Sequence, residues 1–231
     1  MSYCNTGDLS HYIANDFFNV SWDAKLYHLW YIAYGLSNIH KKSIIHRDLH
    51  SGNILINEDK NLSIFGSIKI GDLGLSKSAT EADVNETYGI IPYMAPEVLQ
   101  GQKYTTASDI YSFGMIMWEY MTGRRPFWDR AHDTELIIDI CDGLRPSIGD
   151  IVAPEGYIEL MKECWDPDPN KRPISRNIYN TLKLSSRNFL GVTLLLQNKE
   201  YLFIQRNALI CPVSFKKLSG NKSSRLFQSA E

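Results

Sequence analysis

Asp48, Asn53 and Asp72 are the side chains of this sequence whose types and spacing best suit chemistry. Asp48 and Asn53 lie five positions apart in the polar centre of "SIIHRDLHSGNILI", residues 43–56, between apolar runs. Asp72 follows "SIKI", residues 67–70. A carboxylate and an amide carbonyl are hard oxygen donors, and with phosphate oxygens and water they suit Mg²⁺. A second carboxylate nearby is then left to orient a hydroxyl and accept its proton. Each motif alone is weak, because "DLG", residues 72–74, is equally a polar loop end.

Asn53 and Asp72 meet only if the segments beside them pair. Ile44–Ile45 and Ile54–Ile56 are short β-branched runs, and "SIKIGD" alternates, so all three read as strands. The turn-rich "NEDKNLSIFG", residues 57–66, then closes a hairpin that brings Asn53 and Asp72 to one end. Upstream, Trp22, Leu26, Leu29, Ala33, Leu36 and Ile39 recur every three or four positions. That spacing predicts an amphipathic helix, with Ser21 as its N-cap. Residues 75–92 are polar and without period, as in a long surface loop. Pro96 opens a short helix that Gly101 stops. "SDIYSFGMIMWEYMTG", residues 108–123, is apolar on nearly every side after its first turn, the mark of a buried central helix. Amphipathic helices follow at 133–143 and 156–165, the Pro-rich loop "DPDPNKRP" at 166–173, and a last helix at 174–186. The expected fold class is α+β, mainly helical, with a small β-hairpin at the polar loop.

The 231 residues are 44% hydrophobic and 12% aromatic, which suits a packed core rather than disorder. A net charge of −2 gives no global attraction to nucleic acid. Residues 186–231 hold seven basic and two acidic residues, against 17 and 24 in residues 1–185. That asymmetry suggests a junction near 186. Cys4, Cys141, Cys164 and Cys211 are widely separated, with no zinc spacing, and read as reduced thiols of a cytoplasmic protein. "MSYCNTGDLS" lacks the form of a signal peptide, and "FLGVTLLL" is too short to cross a membrane. Neither a nucleic-acid nor a membrane role is expected.

"HRDLHSGN" (46–53), "DLG" (72–74), "APE" (95–97), "SDIYSFG" (108–114) and "DPDPNKRP" (166–173) occur in the order and spacing of a eukaryotic protein kinase. The chain resembles the C-terminal lobe of that family over residues 1–185, nearest to its tyrosine-kinase-like group. The resemblance implies a protein kinase of signal transduction that uses ATP and Mg²⁺ and phosphorylates a protein substrate. It says nothing of oligomeric state. It makes Asp48 the catalytic residue that positions the acceptor hydroxyl, and Asn53 and Asp72 the magnesium ligands. "MSYCNTGDL" resembles the hinge, so the backbone near Tyr3 and Cys4 and the side chain of Leu55 would hold adenine, and Asp8 would reach a ribose. Arg47 would meet an activation-loop phosphate, supplied on Ser76, Ser78, Thr80, Thr87 or Tyr88. His46 would be structural, Glu97 and Arg172 a buried ion pair, and Asp109 the anchor of the catalytic loop.

The sequence also departs from the family. No G-x-G-x-x-G occurs, and Lys69 lies on the strand entering "DLG", so it is an exposed strand residue rather than the phosphate-binding lysine. The resemblance begins at the hinge, and the expectation is a chain without its N-terminal lobe. The alternative function is therefore a catalytically inactive C-lobe that binds proteins. His50 and Ile90 stand where serine/threonine kinases carry Lys and Thr; Tyr93, where tyrosine kinases carry Trp, favours a Ser/Thr acceptor. Leu73 replaces the usual Phe. The basic segment 186–231 is unlike the family's ending and reads as an unassigned tail, either a partner-binding extension or the product of translational read-through.

Overall fold

The computed structural model describes residues 7–57, 67–78 and 89–189, with side chains up to Lys183. The chain divides into two units, residues 1–190 and 191–231. The second lies outside the described residues, and so does most of the expected basic tail.

The first unit is α+β, as the sequence indicates. Strand β1 (Gly7–Asp8) leads into α1 (Leu9–Asp16) and the long helix α2 (Trp22–Lys41). Ser21 caps α2, accepting from the Ala24 N–H at 3.3 Å. Short strands β2 (Ile44–Ile45), β3 (Ile54–Asn57), β4 (Ser67–Ile70) and β5 (Lys77–Ser78) follow. Helices α3 (Pro96–Leu99), α4 (Thr106–Thr122), α5 (Thr134–Cys141), α6 (Tyr157–Cys164) and α7 (Ser175–Phe189) complete the unit. The expected hairpin forms between β3 and β4, antiparallel with Ile54 opposite Ile70 and Leu55 opposite Lys69.

Four details differ from the sequence expectation. Strand β1 joins the hairpin through β3, making three strands in the order β1-β3-β4. Helix α1 was not anticipated, since only Leu9 and Ile13 of its eight residues are buried. The segment expected to be loop from residue 75 opens with β5, whose Lys77 and Ser78 pair with Ile45 and Ile44. Helix α7 runs on to Phe189, beyond the expected end at 186.

Helix α4 is the spine of the fold. Every residue from Ser108 to Met121 is buried, and a large apolar side chain so placed contributes roughly 1.5–3 kcal/mol. Thr105 and Ser108 form a capping box at its start, and Gly123, at φ +73°, closes it in the left-handed conformation that glycine adopts without strain. Gly114 lets α6 approach: a Cβ there would lie 3.0 Å from Cys164 Cβ and 3.3 Å from the Met161 carbonyl. Helix α2 packs on α7, where Trp30 stacks on Tyr179.

Candidate active site

The polar loop between β2 and β3 is held from below by the first turn of α4. One Asp109 oxygen accepts from His46 N–H at 2.9 Å, and the other accepts from Arg47 N–H at 3.0 Å. His40 Nε2 also meets Asp109 Oδ2 at 2.8 Å, and His40 Nδ1 meets Ser175 Oγ at 3.1 Å. The end of α2, the loop and α4 thus share one buried carboxylate, and α7 joins them through His40. Arg47 is forced to φ +73°, a conformation that costs a bulky residue of order 1–3 kcal/mol. The paired amide bonds to Asp109 hold it there.

His46 is fully buried. Its Nε2–H donates to the Gly71 carbonyl at 3.0 Å, and its Nδ1 faces Asp48 N–H at 3.4 Å. These partners suit the Nε2–H tautomer and make His46 a structural link between the loop and the segment entering "DLG". His50 Nδ1 accepts from Gly52 N–H at 3.1 Å, and its Nε2 lies 3.6 Å from Asp48 Oδ2. That separation is electrostatic rather than a hydrogen bond.

Asp48 is mostly buried, and its Oδ1 faces Gly89. Burial acts to raise its carboxyl. The His50 imidazole, the Asn53 amide and His46 outweigh burial and hold it below the ordinary carboxylate range. Asn53 Nδ2 donates to the Asp48 carbonyl at 2.8 Å and to Asp48 Oδ2 at 3.2 Å. With its nitrogen spent in this way, Asn53 Oδ1 is the atom left to ligate a cation. The Gly71 N–H donates to the Asn53 carbonyl at 2.7 Å, so Asn53 and Asp72 flank the same end of the hairpin. Asp72 is exposed, at φ +48°, with Oδ1 accepting from Gly74 N–H at 3.1 Å. No group of three or more His, Cys, Asp or Glu side chains gathers into a metal cluster among the described residues. Among the described residues, this end of the hairpin carries the Asn53 amide oxygen and the Asp72 carboxylate, a set that fits Mg²⁺ completed by phosphate and water.

Asp8 and Leu55 are brought together as register partners of β1 and β3. Asp8 also caps α1, accepting from His11 N–H at 2.9 Å. Leu55 is half-buried and Lys69 exposed. Tyr3 and Cys4 lie outside the described residues, as do Thr80, Thr87 and Tyr88. Ser76 Oγ donates to the His46 carbonyl at 3.4 Å, and Ser78 sits in β5. Arg47 is buried, with its guanidinium 4.5 Å from the Tyr104 ring centroid. Leu73, in the position of the family's Phe, is 41% exposed. Glu97 and Arg172 form the implied ion pair, bidentate and buried, at 2.7 Å for each bond.

Two features escape sequence reasoning. One is His40, whose bond to Asp109 spans 69 positions. The other is a buried chain beside the loop. Tyr93 O–H donates to Glu119 at 2.6 Å, Ser51 Oγ lies 3.2 Å from the same hydroxyl, and Ser112 O–H donates to the Tyr93 carbonyl at 2.7 Å. A Glu inside an otherwise apolar helix is the one signal of this chain that the sequence carries.

A carboxylate lining a small cleft with Gly89 and Tyr93, with two oxygen donors at the adjoining hairpin end, suits phosphoryl transfer. The family model for protein tyrosine and serine/threonine kinases matches residues 1–182, and the chain belongs to that family. It is 33% identical to stress-activated protein kinase alpha of Dictyostelium discoideum, over 79% of this chain and 30% of that protein. It is 32% identical to the probable serine/threonine-protein kinase roco5 of the same organism, over 80% of this chain and 7% of that protein. The chain thus spans less than a third of either relative.

Proposed function

We propose that residues 1–185 form the hinge and C-terminal lobe of a kinase that moves the γ-phosphoryl group of ATP to a protein hydroxyl, Ser or Thr in preference to Tyr. The observation that carries the reading is the Asp48–Asn53 pair. Asp48 is kept ionised at the mouth of the cleft by His50 and by the Asn53 amide, and that same bond aims Asn53 Oδ1 elsewhere. Asp48 orients the acceptor hydroxyl and takes its proton as the new bond forms. Asn53 and Asp72 would hold Mg²⁺, which supplies charge neutralisation to the phosphate oxygens. Leu55 would bound the adenine from below, with the backbone near Tyr3 and Cys4 along its edge and Asp8 toward the ribose. His50 lies close enough to Asp48 to donate to a phosphate oxygen brought there. Among the described residues no helix is long and apolar enough to cross a membrane, and the site is read as acting in the cytoplasm.

The alternative is a protein-binding module of the same fold without catalysis. The longest open reading frame containing residues 1–231, and residues 1–231 alone, should be assayed for Mg-ATP-dependent transfer to a generic protein acceptor, each against Asp48→Asn. Transfer that requires Asp48 in the longer protein supports the kinase. Equal signals from wild type and Asp48→Asn in both proteins refute it and leave the binding module.

A further inference from the structure

At the end of α4 remote from the catalytic loop lies a second concavity. From Asp109 to Thr122 the helix advances about 20 Å at 1.5 Å per residue, so this site is physically separate from Asp48. It is a groove of about 1060 Å³ between the α1–α2 connection, the end of α4, and the loops before α5 and α6. Trp118, Met121 and Phe127 are buried in its floor. The Trp118 indole N–H donates to the Ser147 carbonyl at 2.9 Å and fixes the loop before α6 as one wall. Phe18, 96% exposed, and Val152, 86% exposed, stand on the rim.

Lys25 is the unusual member. Only 6% of it is accessible, and it lines the groove. Its Nζ sits 3.9 Å from the Phe17 ring centroid and 5.1 Å from that of Trp22. Among the described residues no carboxylate or carbonyl pairs with it, and burial lowers its pKa. Partly desolvated, that cation would gain from an anion entering the groove. The neighbouring charges are otherwise engaged or peripheral. Arg130 pairs with Asp139 at 2.6 Å, Arg145 donates to the Ile140, Leu144 and Trp165 carbonyls, and Asp16 accepts from Asn19. Arg124 stacks over Trp128 at the mouth, 4.3 Å from the ring centroid, and Asp129 is exposed beside it.

We propose that this groove docks an acidic, aromatic- or leucine-bearing segment of a partner protein, with a carboxylate on Lys25 and apolar side chains over Phe17, Trp22 and Phe127. Its volume lies at the upper end of the roughly 300–1,000 Å³ of small-molecule pockets, and its open rim suits an extended chain. The segment 186–231 is the wrong occupant by charge, with seven basic and two acidic residues. The site stands apart from the proposed chemistry and survives or fails independently of it.

The test is to pan a random dodecapeptide phage library against the wild-type protein, and then to measure anisotropy of the enriched peptides made with a fluorescein label. Acid-rich peptides should emerge. Their binding should weaken at least tenfold in Lys25→Met and also in Phe18→Ser, whose side chain is too exposed to support folding, and it should fall as salt rises. Neither substitution should lower the thermal midpoint. Peptides without acidic residues, or equal binding by both variants, would overturn the proposal. So would a wild-type dimer dissociated by these variants, which would make a second copy the occupant. Vesicles of anionic phospholipid bound by wild type and not by Lys25→Met would also overturn it.

Discussion

Glu119 offers the sharpest test of the buried network beside the catalytic loop. The residue is 2% exposed in the last turn of α4 and accepts from Tyr93 O–H at 2.6 Å. Burial pushes its carboxyl from 4.5 up to about 7, with the Tyr93 and Ser51 hydroxyls and the charge of Arg125 opposing only in part. At about 1.4 kcal/mol per pH unit, the rise corresponds to about 3 kcal/mol. The sign follows from proton binding. Below pH 4.5 the carboxyl is protonated in both folded and unfolded chains, and it adds no penalty. Between 4.5 and 7 the unfolded chain ionises while the folded one retains its proton, so stability falls as pH rises. Above 7 the full penalty applies. Glu119→Gln keeps an acceptor for Tyr93 and removes the ionisation. Urea unfolding of both proteins from pH 4.5 to 8 should show the variant gaining about 3 kcal/mol over wild type as pH increases. Any cost of the new amide is independent of pH and shifts the whole difference curve uniformly. A difference that stays flat across this range would refute the buried, proton-retaining Glu119.

The remaining expectations concern the scaffold. Arg172→Met strands Glu97 in the interior and should cost about 3–5 kcal/mol in urea unfolding, with much of the loss recovered when Glu97→Leu is added. Asp109→Asn removes a charged acceptor from beneath the loop, and hydrogen bonds to charged groups contribute about 1.5–3 kcal/mol. Hydrogen exchange at the His46 and Arg47 amides should accelerate in that variant more than exchange in α6. Gly123→Ala forces a left-handed residue, at about 1–2 kcal/mol, and sets a Cβ 2.6 Å from the Phe17 ring. Its thermal midpoint should drop, and a midpoint equal to wild type would contradict the packing of Phe17 on the α4 cap.

What was legible in the sequence was local and periodic. Helix α2 declares itself because apolar residues recur over 20 positions behind a serine cap. The all-round apolarity of α4 predicts its burial, and the β3–β4 hairpin follows from two alternating runs and a turn. Strands β1 and β5 were not legible. Each is two residues long, and each exists because a distant segment supplies its partner. Helix α1 buries only two side chains, too few to set a period. The same division holds at the site. Asp48 and Asn53 lie within one loop, so the hydrogen bond between them is a local one. The Asp109 carboxylate reaches amides 62 and 63 positions upstream, a contact whose geometry only the fold provides.

The two candidate metal ligands are prepared to different degrees, and the difference has a structural cause. Asn53 is fixed by two bonds to Asp48, within a loop whose strained Arg47 is pinned by Asp109. Its orientation costs nothing further when a ligand arrives. Asp72 is exposed at φ +48°, with its described hydrogen bond confined to the adjacent turn at Gly74. The following Leu73 is exposed rather than packed into the core. Ordering Asp72 against a cation therefore draws on binding free energy, whereas Asn53 requires none. The loop carrying Asp48 and Asn53 is the preorganised half of the proposed site, and the segment carrying Asp72 is the half that nucleotide and metal would have to set.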